Sequence, residues 1–536
     1  MFKFKPTTDK TLLVLIAITF LGGLLRFYHL STNPPGLYVD EAGILYNAYS
    51  IAQTAKDEYG KFMPYWFESY HDFKPPVYIY LTAGLVKLFG LHDVLVRFPS
   101  AAAGTLSILL IYQLTLELCL LGKAQAHSQH LLPPQSTALI TAFFFAISPW
   151  SLQFSRAGFE ANLALAFILA ATTLVLYSFR SGKHYYLPAG LLYLVSISTY
   201  HSARMFVPLL LLSFPIIFWR EIKHRFKPLA LAIAITALIT LPVLPTLTDT
   251  QSLVRLSSNT YLASLPLGDA ITQLGNDYLS HFDTNYLFFN GDQNGRHSVR
   301  YLGMLYYFDL PLIIIGLLTL ITKFPSKPKF FLLTWLLLTP LPAAITKPNP
   351  HALRSLNILP AWIILSAIGL SVVLSFVQTR FRPRSVIRHT LYLILFLSLI
   401  YNFFLYLDEY WVRYPQITAP DWNNGYKQTV QTIKAFYGSY DTIYVHRDLP
   451  IDYLGLYLPI PPEEYQLIPQ KYTNFTPPVD KFIFFDQAWT ISPPPQGKIL
   501  IVAPPWQKPK SLKDYRSIQM INGDDLFYIW EDRAGS

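Results

Sequence analysis

The sequence predicts a polytopic α-helical membrane protein, with about eleven transmembrane helices and a small extracytoplasmic α/β domain at its C-terminus. Three observations predict it. The 536 residues are 52% hydrophobic and only 14% charged, where a soluble domain carries roughly 25% charged residues. Long apolar runs recur through residues 1–407, and about 20 mostly apolar residues suffice for a helix to cross the hydrocarbon, where only helices and closed barrels satisfy the backbone. After residue 408 the pattern changes to short strand-like runs separated by proline-rich turns.

In chain order, the expected spans are 11–28, 98–121, 136–154, 159–179, 185–200, 205–219, 228–247, 305–322, 329–345, 356–377 and 389–407. The first follows a basic tail and lacks a small-residue cleavage site, so it reads as an uncleaved span. Lys and Arg then set sidedness. Tail 1–10 and loops 180–184, 220–228, 323–329 and 378–389 carry the basic residues and fall on one side, the cytoplasmic side; loop 122–135 joins them with Lys123 alone. Segment 76–91 is apolar but short and contains Lys87. As a span it would reverse every later loop, so it reads as a helix lying in the interface. The transmembrane module is then 1–407, with exterior loops 29–97 and 248–304, and the extracytoplasmic domain is 408–536. Its strand-like runs are 441–447, 481–486, 498–504 and 526–532.

The net charge of +10 is spread over short loops between apolar runs, which explains it by topology and excludes a nucleic-acid face. The one cysteine, Cys119, forms no framework. No P-loop, dinucleotide-binding glycine motif, HExxH or zinc-spaced Cys/His cluster is present, so any donor is reached from outside.

Chemistry concentrates at the exterior ends. Asp40-Glu41 follows the first span, where a carboxylate can accept a proton from an attacking hydroxyl or simply favour a helix N-terminus. In HDFKPP, Lys74 can hold a phosphate as a point charge or snorkel to the interface; His71 and Asp72 stand beside it. Arg97, Arg156 with Glu160, Arg204 with Tyr200 and His201, Arg296 with Arg300, and Arg354 lie in five further exterior segments. Arginines so placed suit a shared anionic ligand or, one by one, lipid headgroups.

These residues and their surroundings, Asp40-Glu41, KPP, RFPSA, FSRAGFEANLAL, TYHSARMFVPLLL, NGDQNGRHSVRYLGMLYYFDLP and RSLNILP, resemble the bacterial family 39 glycosyltransferases. Those are relatives of the protein O-mannosyltransferases and the lipid A aminoarabinose transferase within the C-type superfamily. The resemblance covers about 1–410, and the order of its short motifs makes it specific. It implies a polyprenyl-phosphate-linked sugar donor, an extracytoplasmic site and inversion at the sugar carbon. It assigns Asp40, with Glu41 beside it, as base or acceptor-binding group, and Lys74 as contact to the carrier phosphate. Arg97, Arg156, Arg204 and Arg354 become donor-binding or structural groups; His71, Asp72, Glu160, Tyr200, His201, Arg296 and Arg300 are candidates for the substrate pocket. The activated leaving group requires no metal. No β-trefoil insert of the O-mannosyltransferases is visible, which leaves the acceptor open among glycan, lipid and protein. A transporter or flippase would instead bury ionisable residues mid-span and use paired half-helices; a scaffold displaying the tail would tolerate loss of Asp40 and Lys74.

Overall fold

The computed structural model describes residues 9–69, 72–123, 132–241, 244, 260, 264–458, 460–468, 480–486, 497–510 and 512–533. They form two compact units, each taken here by itself: residues 1–28 with 97–410, and residues 29–96 with 411–536. The expected boundary at 407/408 lies three residues before the third break, at 410/411. The segment 29–96, expected as a loop of the transmembrane module, clusters with the tail.

In the first unit each of the eleven expected spans contains a helix. Asp9–Phe27, Val94–Leu121, Glu160–Ser181, Leu356–Arg380 and Val386–Ile417 are long and apolar enough to cross a membrane; Pro134–Ile147 and Pro149–Ser155, bent by 55°, make a sixth candidate. The bend follows from sequence: Pro149 lacks the N–H that a continuous helix would use, and Ser148 restarts the helix by accepting a hydrogen bond from Ser151 N at 3.5 Å. The other expected spans are shorter helices, Tyr186–Ile197, His201–Ile217, Phe226–Thr240, Asp309–Lys323 and Ser326–Leu338. Phe20 and Ile216, 74% and 83% exposed, show the apolar outer face of a multi-pass membrane protein. Helix Asp309–Lys323 lies against Leu359–Arg380 through two glycines. A Cβ on Gly316 would stand 2.0 Å from the Leu365 carbonyl oxygen, and one on Gly369 1.9 Å from that of Leu312; small residues let membrane helices approach backbone to backbone. Charges within the unit are satisfied locally, as in Arg180 Nε to Glu117 Oε2 at 2.5 Å.

In the second unit, helix Val39–Thr54 packs on helix Pro76–Phe89, and between them runs the antiparallel hairpin Phe67–Ser69/Asp72–Lys74. Pro76–Phe89 has 14 residues, about 21 Å of helix, short of the ~30 Å hydrocarbon core. Its Lys87 donates to Ala52 O at 2.9 Å, so this lysine anchors one helix to the other. The tail folds into a five-stranded mixed sheet. Thr442–His446 pairs in parallel with Phe482–Phe485 and Lys498–Ala503, which pairs antiparallel with Asp525–Arg533, itself antiparallel to Arg516–Gln519. Four strands match the expected runs. The fifth, Arg516–Gln519, is an edge strand with one buried residue, Ile518, too weakly patterned to stand out. Tyr444, Ile499, Ile501 and Trp530 pack into one core on the sheet. Tyr453 Oη donates to Leu37 O at 2.6 Å and Gln466 Nε2 to Ser50 Oγ at 2.9 Å, which ties the 29–96 segment to the tail.

Candidate functional site

The strongest sequence feature acquires its geometry in the second unit. Tyr38 precedes the Val39–Thr54 helix in extended conformation, which places Asp40 and Glu41 in the first turn. Glu41 is fully buried and turns back to accept the Tyr38 N–H at 3.4 Å, the reach of an N3 carboxylate closing a helix start. Asp40 points the other way, its side chain 39% exposed, with Oδ1 2.7 Å from Lys74 Nζ. Lys74 ends the hairpin strand Asp72–Lys74 opposite Phe67. Pro75 is extended and Pro76 begins the next helix, so the KPP sequence holds this lysine at a strand-to-helix corner. Lys74 is 3% exposed. A desolvated ammonium thus meets a carboxylate that solvent can reach: an anion site and a proton acceptor within one hydrogen bond. Asp72 is half-buried on the same strand and accepts from Phe73 N at 2.9 Å. His71 lies outside the described residues.

The other candidates lie in the first unit. Arg97 and Arg156 are each 1% exposed. Arg156 donates through Nη1 to Leu25 O at 2.6 Å and Arg26 O at 3.0 Å, and through Nε to Tyr410 Oη at 2.9 Å. It closes the C-terminal end of the first span, satisfying carbonyls a helix leaves open. Arg354 donates to Thr346 Oγ1 at 2.7 Å and Lys347 O at 2.8 Å, and Arg204 Nε to Ile197 O at 3.3 Å. The bonds of Arg156, Arg204 and Arg354 fasten a loop or a helix end, the structural one of the two uses expected of them. Glu160 is buried as the first residue of the Glu160–Ser181 helix, and buried Tyr200 meets His201 edge-on at 6.4 Å. Arg296 is half-buried, with Nε 3.3 Å from Asn294 Oδ1, whereas Arg300 is exposed.

Three segments in or directly before those sequence blocks converge in this unit, at residues not singled out in the sequence. Asp292 Oδ2 lies 3.1 Å from His297 Nδ1 and accepts from Ala352 N at 2.7 Å, and the His297 and His351 rings lie 4.8 Å apart. Gln153 Nε2 donates to Arg296 O at 2.8 Å and Trp150 Nε1 to Ala352 O at 3.2 Å. His281 completes the cluster: its Nε2 accepts from His351 N at 3.2 Å while Nδ1 meets Asp277 O at 2.9 Å. Burial pushes His281 down to about 4, as expected for an imidazole whose second nitrogen must stay unprotonated to accept. Burial pushes the Asp292 carboxyl up, but His297 and the N–H groups of Ala352 and Asn294 outweigh it and hold the group below its usual range. Asp292, His297 and His351 each offer a buried donor atom, all within 4.8 Å of one another, so these residues could share a divalent ion. In the sequence they stand in NGDQNGRHSVR and PHALRSLN, two segments too far apart in the chain to show metal-ligand spacing. Arg26, fully buried at the end of the first span, was missed as well; it bonds Ser155, Ser151 and the carbonyls of Gly22, Ala146 and Phe145.

Residues 73–245 match the family described as dolichyl-phosphate-mannose-protein mannosyltransferase. Among solved structures, ArnT from Cupriavidus metallidurans superposes with a TM-score of 0.55 at 12% identity, over 98% of this chain and 97% of that one. The oligosaccharyltransferase of Archaeoglobus fulgidus superposes with a TM-score of 0.53 at 16% identity, over 85% of this chain. The chain has the C-type glycosyltransferase fold. It spans 64% of the length of the oligosaccharyltransferase, so what the longer protein does in its remainder has no counterpart in this likeness. No curated protein sequence matches the chain.

Proposed function

We propose that the protein is a membrane glycosyltransferase that moves a sugar from a polyprenyl-phosphate carrier to an acceptor hydroxyl or amine outside the cytoplasm, with inversion. One observation carries the reading: the buried Lys74 ammonium and the solvent-reachable Asp40 carboxylate, 2.7 Å apart, on the segment that follows the first span. The lipid-phosphate donor is supported by the likeness to ArnT bound to undecaprenyl phosphate, TM-score 0.54. An acceptor is bound in a related fold as well, since the Archaeoglobus fulgidus enzyme has been captured with a tethered acceptor peptide, TM-score 0.52.

In this mechanism Asp40 accepts the proton of the acceptor as its oxygen or nitrogen bonds to the anomeric carbon. The bond from that carbon to the phosphate oxygen breaks on the opposite face, and the electron pair leaves with the polyprenyl phosphate. Lys74 meets the charge that grows on the departing phosphate, where a fixed cation in a dry site is most effective. Because Asp40 holds Lys74 before donor arrives, the phosphate takes the ammonium and frees the carboxylate to act as base. Glu41, buried as a cap, orients the helix that carries Asp40. A transporter reading draws less support: among the described residues of the first unit, Arg26 and the pair Arg180 and Glu117 are spent on fixed partners.

The test compares glycolipids and glycoproteins by mass spectrometry in cells carrying the wild-type chain, the Asp40→Asn variant, or neither. A hexose- or pentose-sized mass addition is expected with the wild type alone. A folded, membrane-inserted Asp40→Asn variant that restores the addition fully rejects Asp40 as base.

A further inference from the structure

We infer that the first unit carries a binding site for an anionic glycerophospholipid in a groove between helices Pro134–Ile147, Asp309–Lys323, Leu359–Arg380 and Val386–Asp408. The groove encloses about 580 Å³ and is lined by Phe144, Phe308, Leu312, Leu370, Leu374 and Leu395 on its apolar walls, with Arg388 and Tyr392 also on its lining. Helix Val386–Asp408 is little buried, with Asn402 and Tyr406 its buried residues, so one wall of the groove is held loosely and a lipid chain can enter beside it.

The chemistry of the lining points to the occupant. The Arg388 guanidinium lies over the Tyr392 ring, 5.6 Å from its centroid, and no carboxylate pairs with it among the described residues. The Tyr392 hydroxyl is buried and has no hydrogen-bond partner among the described residues. A buried hydroxyl without a partner costs about 1–3 kcal/mol, and a phosphate oxygen would satisfy it together with the guanidinium. Arg380, Arg382 and Arg384 lie in the turn leading to Arg388, adding cationic charge that a zwitterionic headgroup answers poorly and an anionic one answers well. Apolar walls ending in an arginine and an orphan hydroxyl match the acyl chains and phosphate of one lipid.

Native mass spectrometry of the purified full chain, exchanged into micelles with equimolar phosphatidylglycerol and phosphatidylcholine, tests this. Retention of phosphatidylglycerol at least tenfold over phosphatidylcholine is expected. Arg388→Glu should abolish that preference, and Leu374→Trp, which fills the apolar part, should lower retention of both lipids. Equal retention of the two lipids by the wild type overturns the proposal, and this arm needs no variant. So does unchanged phosphatidylglycerol preference in folded Arg388→Glu protein, or stoichiometric displacement of phosphatidylglycerol by undecaprenyl phosphate, which would make the groove a donor site.

Discussion

Replacing the two partners of the Asp40–Lys74 pair should have opposite effects on lipid-phosphate binding, and this separates a working pair from a structural one. Lys74 is 3% exposed and the Asp40 side chain 39% exposed, 2.7 Å apart. Lys74→Met keeps the buried stem and returns a half-exposed carboxylate to water, so stability should change by at most about 1 kcal/mol. Asp40→Asn takes the carboxylate from a buried ammonium; breaking a buried pair costs about 3–5 kcal/mol, and the exposure of Asp40 halves this to about 1.5–2.5 kcal/mol. Binding runs the other way. Lys74→Met loses a charge-assisted hydrogen bond to phosphate, about 1.5–3 kcal/mol, which is roughly a 10- to 100-fold weaker Kd. Asp40→Asn removes a competitor for Lys74 and a like charge near the phosphate, so affinity should hold or rise. Undecaprenyl phosphate binding in nanodiscs, measured beside thermal unfolding of the same preparations, reads both quantities. If Lys74→Met binds the lipid as the wild type does, or if Asp40→Asn weakens binding as much as Lys74→Met, the assignment of the two roles is wrong.

Two further outcomes follow from the first unit. His281 is held neutral down to about 4, against an ordinary value near 6.5; between these values the unfolded chain takes up a proton that the folded chain refuses. Stability should therefore be full above about pH 6.5 and fall by about 3 kcal/mol as pH drops to 4, and thermal unfolding of His281→Asn should show a shallower slope over that window; an identical slope would show that another group sets it. At the helix contact, Gly316→Ala and Gly369→Ala each force a methyl against backbone carbonyl. Overpacking of this kind costs about 1–3 kcal/mol, and a melting temperature equal to the wild type in both variants would refute the close approach.

The helical spans were legible because lipid imposes a long, continuous apolar signal, and the tail strands because alternation and proline turns survive without tertiary context. The grouping of 29–96 with the tail was not legible. It rests on contacts such as Tyr453 to Leu37 and Gln466 to Ser50, more than 400 residues apart, that no local pattern announces. Nor could sequence separate Asp40 from Glu41. Both sit in the first turn of one helix, where either could cap it, and the division of labour appears only when Glu41 is seen closing on Tyr38 N and Asp40 on Lys74.

The arginines carry the more general lesson. An arginine at the exterior end of a span has two physical uses, since the same five donors that grip a phosphate also satisfy the carbonyls left open at helix ends. Composition cannot tell them apart. Arg156 takes the second use in this structure, and so does Arg26, buried in the last turn of the first span. Lys74 differs in kind. Its partner is a half-exposed carboxylate, and a carboxylate exposed to water can release it to an incoming phosphate at small cost, whereas a backbone carbonyl buried at a helix end has no other donor to turn to. Exchangeability of the partner, more than the presence of the cation, marks the residue poised for a ligand.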